Sequence, residues 1–199
     1  MKGNPNLDPE TGWTATLGVN HKFNDKTSMG VSYFESRLDD AIRWASSPSG
    51  WTPSNINKEK KRGIELSFRQ RLDDAWSYDL GYSYIRTDKG AGVGYVWENG
   101  NSQPNGYRIG LHYVKGPWKA NVLGRIGSGL DETRYVNDNY AIWDFNVSYD
   151  IKENLTAYFR INNLTDEEYY TRKLSSGWLG NSYYPGTGRF YQIGLTCSF

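Results

Sequence analysis

Apolar and polar residues alternate with a period of two along most of this chain. At the carboxy end, Tyr191, Ile193, Leu195, Cys197 and Phe199 share one face, and Phe190, Gln192, Gly194, Thr196 and Ser198 share the other. That periodicity predicts a β-strand, 189–199, with one apolar side and one mostly polar side. Near the amino end, Trp13, Ala15, Leu17, Val19 and Phe23 oppose Thr14, Thr16, Gly18, Asn20 and Lys22 in the same way. Further strands centre on Met29–Tyr33, Ile64–Arg69, Trp76–Tyr84, Tyr107–Tyr113, Trp118–Ile126, Trp143–Ile151 and Leu155–Asn162. The count is nine strands, and no stretch sustains the 3.6-residue period of a helix.

The connections alternate as well. Asn24-Asp25-Lys26, Asp73-Asp74, Lys115-Gly116-Pro117 and Lys152-Glu153-Asn154 are tight turns. Between them the pattern predicts long polar loops over roughly 34–54, 87–105, 128–139 and 163–188. Residues 1–12, punctuated by Asn4-Pro5 and Asp8-Pro9, read as a further loop. Brief turns at one end and long loops at the other are the pattern of an outer-membrane barrel, with loops outside and turns in the periplasm. A soluble β-sandwich shows similar strands but has no reason for one-sided loop lengths. The expected fold is therefore all-β, an antiparallel transmembrane β-barrel segment. An odd strand count leaves the first and last strands parallel, so closure into one antiparallel ring is not expected, and an open edge is not tolerated in lipid. The sequence accordingly reads as an incomplete barrel without a plug.

Composition narrows the alternatives. The hydrophobic fraction is 37% and no apolar run approaches 18 residues, which excludes a transmembrane helix. Sixteen Tyr, eight Trp and 22 Gly suit strands and turns. A net charge of +1 with dispersed cations gives no footprint for nucleic acid. One cysteine, Cys197, excludes an intrachain disulfide, and two histidines, His21 and His112, offer little for a metal. No nucleophile elbow, metal-spaced cluster or phosphate loop is found, so no catalytic residue, cofactor or metal is expected. Met1-Lys2-Gly3-Asn4 lacks an apolar leader, which is expected either of an intracellular chain or of a piece of a longer one. The inward charges Arg69, Arg108, Arg125, Asp144 and Arg160 are expected to form salt bridges with an element inside the barrel. Asp166, Glu167 and Glu168 read as a solvated loop start.

Four motifs in order carry a resemblance. They are Asn4-Pro5-Asn6-Leu7-Asp8-Pro9-Glu10, Asn57-Lys58 followed by Gly63-Ile64-Glu65-Leu66, Asn162-Asn163-Leu164-Thr165-Asp166-Glu167-Glu168-Tyr169, and Tyr184-Pro185-Gly186-Thr187-Gly188-Arg189 before the terminal strand. Together they resemble the TonB-dependent outer-membrane receptors. The resemblance implies that residues 1–199 are the carboxy-terminal part of a 22-stranded, plugged barrel. It also implies residence in the cell outer membrane among lipid and lipopolysaccharide. Energised uptake of a scarce nutrient, such as a ferric siderophore, haem or cobalamin, is implied too, driven by the TonB system through a plug and earlier strands that lie elsewhere. The terminal strand, with Tyr191, Ile193, Leu195 and Phe199, would be the barrel-assembly signal. For an anionic, partly aromatic iron chelate, the outer-loop candidates are Trp44, Trp51, Tyr95, Trp97, Arg134, Tyr135, Arg172, Trp178 and Tyr183, with Lys173 and Tyr184 beside them, through stacking and charge-assisted contacts. Competing readings are a stand-alone small outer-membrane barrel (an enzyme or adhesin), a soluble β-sandwich module, and a non-functional truncated fragment.

Overall fold

The computed structural model describes residues 3–47, 50–90, 96–97, 103–129, 139–176 and 180–198. The strands are β1 (Thr11–Asn24), β2 (Thr27–Ser47), β3 (Gly50–Arg71), β4 (Trp76–Gly90), β5 (Val96–Trp97), β6 (Asn105–Lys115), β7 (Trp118–Ser128), β8 (Tyr140–Lys152), β9 (Leu155–Asn162), β10 (Tyr170–Ser176), β11 (Gly180–Pro185) and β12 (Phe190–Cys197). One sheet runs β1-β2-β3-β4-β6-β7-β8-β9-β12, with β5 added to β4, and β10 and β11 form a separate hairpin. The nine strands of the main path are the nine that the alternation predicts. The path begins at β1 and ends at β12 without joining them, so the sheet is an open segment of a barrel wall.

Three of the expected loops are corrected. Within the expected loop over 34–54, residues 34–47 continue β2 and residues 50–54 belong to β3, strands that reach 21 and 22 residues. About 9–11 residues suffice to cross a membrane, and the extra turnless length carries polar residues on both faces, so alternation vanishes while the strand persists. Likewise, the expected loop over 87–105 holds the end of β4 and the short β5 paired with it, and the expected loop over 163–188 contains the β10–β11 hairpin.

The chain divides into two compact units. One comprises Met1–Gly18, Ser32–Ile64 and Ile85–Gly100; the other comprises Val19–Val31, Glu65–Tyr84 and Asn101–Phe199. In the second, β4, β6, β7, β8, β9 and β12 pair antiparallel in unbroken succession, for example Tyr82↔Tyr107, Val122↔Phe145 and Ile193↔Phe159. Outward apolar side chains meet their cross-strand neighbours as ring pairs, Trp76 with Tyr113 and Trp118 with Tyr149. They are not covered by other protein. Among the described residues only Ala41 and Ile142 are buried hydrophobics, whereas Leu17 is 76% and Ile193 84% exposed. A sandwich would bury that face; a wall facing hydrocarbon leaves it bare, and this settles the choice between them.

The tight turns are laced together along one rim. The N–H of Arg71 donates to the carbonyl of Lys26, Val114 to Ala75, Asp150 to Pro117 and Ser198 to Asn154, at 2.8 to 3.0 Å. In the β3–β4 turn, the Asp73 carboxylate accepts the N–H groups of Ala75 and Trp76, both at 2.7 Å. Those backbone hydrogen bonds hold its carboxyl below the usual aspartate value. A depressed folded value means the turn's contribution is present above the unfolded pKa near 3.8 and is lost as pH falls through the folded one. The unfolding midpoint of the wild type should therefore exceed that of Asp73→Asn at pH 7, with the gap closing below about pH 4. A gap that does not change with pH would discard this account.

In the first unit, the opening segment is pinned to the strands rather than loose. Asn4 Nδ2 donates to the Pro53 carbonyl at 3.0 Å, Asn55 Oδ1 accepts the Asp8 N–H at 2.9 Å, and Glu10 Oε1 accepts the Ile42 N–H at 2.7 Å. Asn55 Nδ2 closes the arrangement onto the carbonyls of Asp8 and Asp40, where Asp40 takes a left-handed φ of 56°. The polar residues of the Asn-Pro-x-Leu-Asp-Pro-Glu motif are the ones that make these contacts.

Candidate functional site

The polar face of the second unit forms a hollow of about 800 Å³ bordered by Lys22, Ser67, Arg69, Asp79, Gly81 and Arg108. Alternation sends these side chains to the side opposite the apolar belt. Beside the hollow, His112 Nε2 lies 2.6 Å from Oδ1 of the lining residue Asp79, and Arg108 Nε lies 3.9 Å from the other carboxylate oxygen. Gly110 makes room for this pair: a Cβ there would stand 2.6 Å from Asp79 Oδ1 and 2.8 Å from His112 Nε2. His112 thus lies on the inward face with Asp79, and His21 packs edge-on to Phe23.

Several of the inward charges find partners within the chain. Arg125 Nη2 donates to Asp144 Oδ2 at 3.0 Å, and Arg160 lies over the Tyr158 ring at 4.9 Å. Neighbouring strands of one wall thus place opposite charges within reach of each other, Arg108 of Asp79 and Arg125 of Asp144. Asp144 has a second task. Its Oδ1 accepts the N–H of Asn163 at 2.9 Å, which ties β8 to the residue that follows β9.

Beside the exposed loop start of Asp166 and Glu168, Asn163 is the hub of a polar knot that the sequence alone does not reveal. It is 2% exposed and takes a left-handed φ of 53°, which asparagine tolerates better than most residues. Its amide donates to the carbonyls of Glu167 at 2.9 Å and Thr187 at 3.1 Å, and its Oδ1 accepts the Glu167 N–H at 2.8 Å. Asp166, also left-handed at φ 57°, accepts the Arg189 N–H at 2.9 Å and pairs with its guanidinium at 3.3 Å. The Gly186 N–H donates to Tyr169, and a Cβ on Gly186 would collide with the Tyr169 ring. The two last motifs of the resemblance are therefore the two halves of one structure, joining 163–169 to 186–189 directly above the first β9–β12 rung, Asn162↔Phe190. The available signal was an Asn and an Asp three apart at a strand end, both residue types that accept positive φ.

Of the outer-loop candidates, Trp44 and Trp51 stand near the far ends of β2 and β3 and are 51% and 56% exposed. Trp97 lies on β5 opposite Asp88. Arg172 is opposite Tyr184 on the hairpin, and Lys173 is opposite Tyr183. Trp44, Trp51 and Trp97 belong to the first unit, and Arg172 and Tyr183 to the second. Tyr95, Arg134, Tyr135, Trp178 and Phe199 lie outside the described residues. Tyr191, Ile193 and Leu195 share the bare face of β12. Among the described residues no group of three or more His, Cys, Asp or Glu is placed to hold a metal ion.

Known proteins share both sequence and fold with this chain. The family model described as TonB dependent receptor-like, beta-barrel, matches residues 1–164. The chain belongs to the TonB-dependent receptors. It is an outer-membrane β-barrel segment of that family, whose members are receptors for transport. The vitamin B12 transporter BtuB of Vibrio vulnificus (strain YJ016) is 30% identical over 200 residues, covering 94% of this chain and 30% of that protein. The ferric-pyoverdine BN7/BN8 receptor of Pseudomonas putida is 26% identical over 179 residues, covering 86% and 21%. Among solved structures, the copper transporter OprC superposes with a TM-score of 0.78 at 19% identity, over all of this chain and 33% of its own. The ferric yersiniabactin uptake receptor FyuA from Yersinia pestis gives 0.78 at 17% identity, over 96% and 30%. The chain thus spans at most about a third of these TonB-dependent receptors.

Proposed function

We propose that this chain forms the carboxy-terminal part of the barrel of a TonB-dependent receptor that takes up a metal-bearing nutrient, of the ferric siderophore, haem or cobalamin kind, across the outer membrane. The observation that carries the reading is the division of one wall into a bare apolar face and an Arg-rich polar hollow. A wall of that kind suits a wet lumen through which an anionic or polar solute passes. The open edges of β1 and β12 support the same reading, because their unpaired backbone groups need further strands in lipid. The plug and the TonB contact belong to those further parts. Capture at the outer end falls to Trp44 and Trp51, exposed near the far ends of β2 and β3.

The test is uptake by cells carrying or lacking the gene, supplied in turn with cobalamin, a ferric siderophore or haem as the limiting source. One of the three should require the gene. Binding of that nutrient, followed by tryptophan quenching in outer-membrane vesicles, should weaken about tenfold or more in Trp44→Ala/Trp51→Ala. Growth on all three without the gene would end the uptake reading. Unchanged affinity in the double variant would move the capture site elsewhere.

A further inference from the structure

The hollow of the second unit is unevenly charged. Five lysines and arginines line it against two aspartates, Asp25 and Asp79. Both carboxylates are already engaged: Lys22 Nζ lies 2.7 Å from Asp25 Oδ1, and His112 Nε2 lies 2.6 Å from Asp79 Oδ1. Arg108 Nε stays 3.9 Å from Asp79, beyond hydrogen-bond length, and its side chain is 68% exposed. Across the β6–β7 ladder its direct opposite is Arg125, which pairs with Asp144 at 3.0 Å, so that position repels Arg108 rather than neutralising it. Arg69, exposed on the same face, has no carboxylate partner among the described residues.

Small polar positions make the floor between these cations. A Cβ on Gly30 would stand 2.7 Å from Ser67 Oγ and also against Asn20 Oδ1, so only glycine lets that hydroxyl and that amide draw together. Gly81, directly opposite Arg108 in the β4–β6 register, adds no side chain beside it. Room, a hydrogen-bonding floor and uncommitted guanidinium donors therefore border one hollow. Guanidinium groups hold carboxylate and phosphate oxygens with two parallel hydrogen bonds, and a concave wall of one sign concentrates ions of the other. The lining also takes in Asp25 and Lys26 of the β1–β2 turn and Arg71 at the end of β3. The hollow thus lies at the tight-turn end of these strands, on the periplasmic side.

We propose that this hollow is an exit-side station for the solute, where a multivalent oxyanion is held through its carboxylate or phosphate groups by Arg69 and Arg108. This deepens the uptake reading and rests on it: capture happens at the outer end, and the cationic hollow receives the solute on the periplasmic side. The engaged aspartates keep the station open. With His112 on Asp79 and Lys22 on Asp25, each carboxylate already has a nearer partner than the two arginines. An uncharged solute gains nothing from guanidinium groups, so the station favours anionic cargo over neutral cargo of similar size.

The test titrates the whole receptor, in mild detergent, with citrate and separately with its neutral trimethyl ester, and reads binding by calorimetry. Citrate should bind and the ester should not. R69Q/R108Q should bind citrate about tenfold more weakly or worse, and R69K/R108K should regain part of the loss. Lys115→Gln, which removes a turn cation outside the hollow, should bind as wild type. Heat-dependent gel mobility reports folding, and if the double variant does not fold, Arg69→Gln alone should still lower the affinity. Gene-dependent uptake together with equal citrate binding by wild type and R69Q/R108Q would overturn the station and leave the uptake reading intact. A citrate site without any nutrient that requires the gene would do the reverse. If wild type ignores citrate while cells carrying R69Q/R108Q admit a large hydrophilic antibiotic, the arginines hold a carboxylate of the receptor's own inserted element, and the proposal falls.

Discussion

Replacing Asn163 with alanine should destabilise the barrel by about 3–5 kcal/mol. Three side-chain hydrogen bonds disappear, two from Nδ2 and one to Oδ1. At a residue 2% exposed, each partner left without a donor or acceptor costs about 1–3 kcal/mol, less where water reaches it. Alanine must also hold φ at 53°, which adds about 1 kcal/mol. Glycine at this position loses the same hydrogen bonds without that strain, so Asn163→Gly should be milder by about 1 kcal/mol. Urea unfolding of the membrane-extracted protein gives the totals. Amide exchange gives the location, with faster exchange at Glu167 and Arg189 and none at Tyr82 or Val122. A knot that merely decorates the loop would leave all three proteins equally stable.

A charge placed on the bare face of the terminal strand should do comparable damage. Ile193 is 84% exposed and belongs to the hydrocarbon-facing row with Tyr191 and Leu195. An arginine near the middle of the bilayer costs about 2–4 kcal/mol on that face of a barrel. Its sequence neighbour Gln192 lies at nearly the same depth but points the other way, toward Tyr158 Oη at 3.4 Å. Ile193→Arg should therefore reduce the fraction inserted into vesicles several-fold, while Gln192→Arg inserts nearly as wild type. Equal insertion of the two would mean that the faces have been assigned wrongly.

The faces are the part of this protein most legible from its residues. A period of two needs no partner to be recognised, so Leu17, Val122 and Ile193 declare their side from sequence alone. Three things are not legible. Residues 34–54 carry charge on both faces, and a strand that stands beyond the bilayer has no apolar row to reveal it. Partners across long connections are hidden too. His112 and Asp79 share the polar side, but their meeting depends on a β4–β6 register that no short turn fixes. The knot escaped for a third reason: Asp166 and Arg189 are 23 residues apart, and only the fold brings them to 3.3 Å. The resemblance marked both motifs as significant without saying that each is half of the other.

The Asn163–Asp166–Arg189 fastening also bears on how such proteins diversify. The two stems of the β9–β12 connection are joined to each other and to Asp144 on β8 before the intervening chain departs. Everything between them, residues 170–185, leaves and returns at fixed points whatever its own composition. That stretch is a cassette in the genetic sense. Changing its length should leave the register of the wall beneath undisturbed, because both stems are fastened outside it.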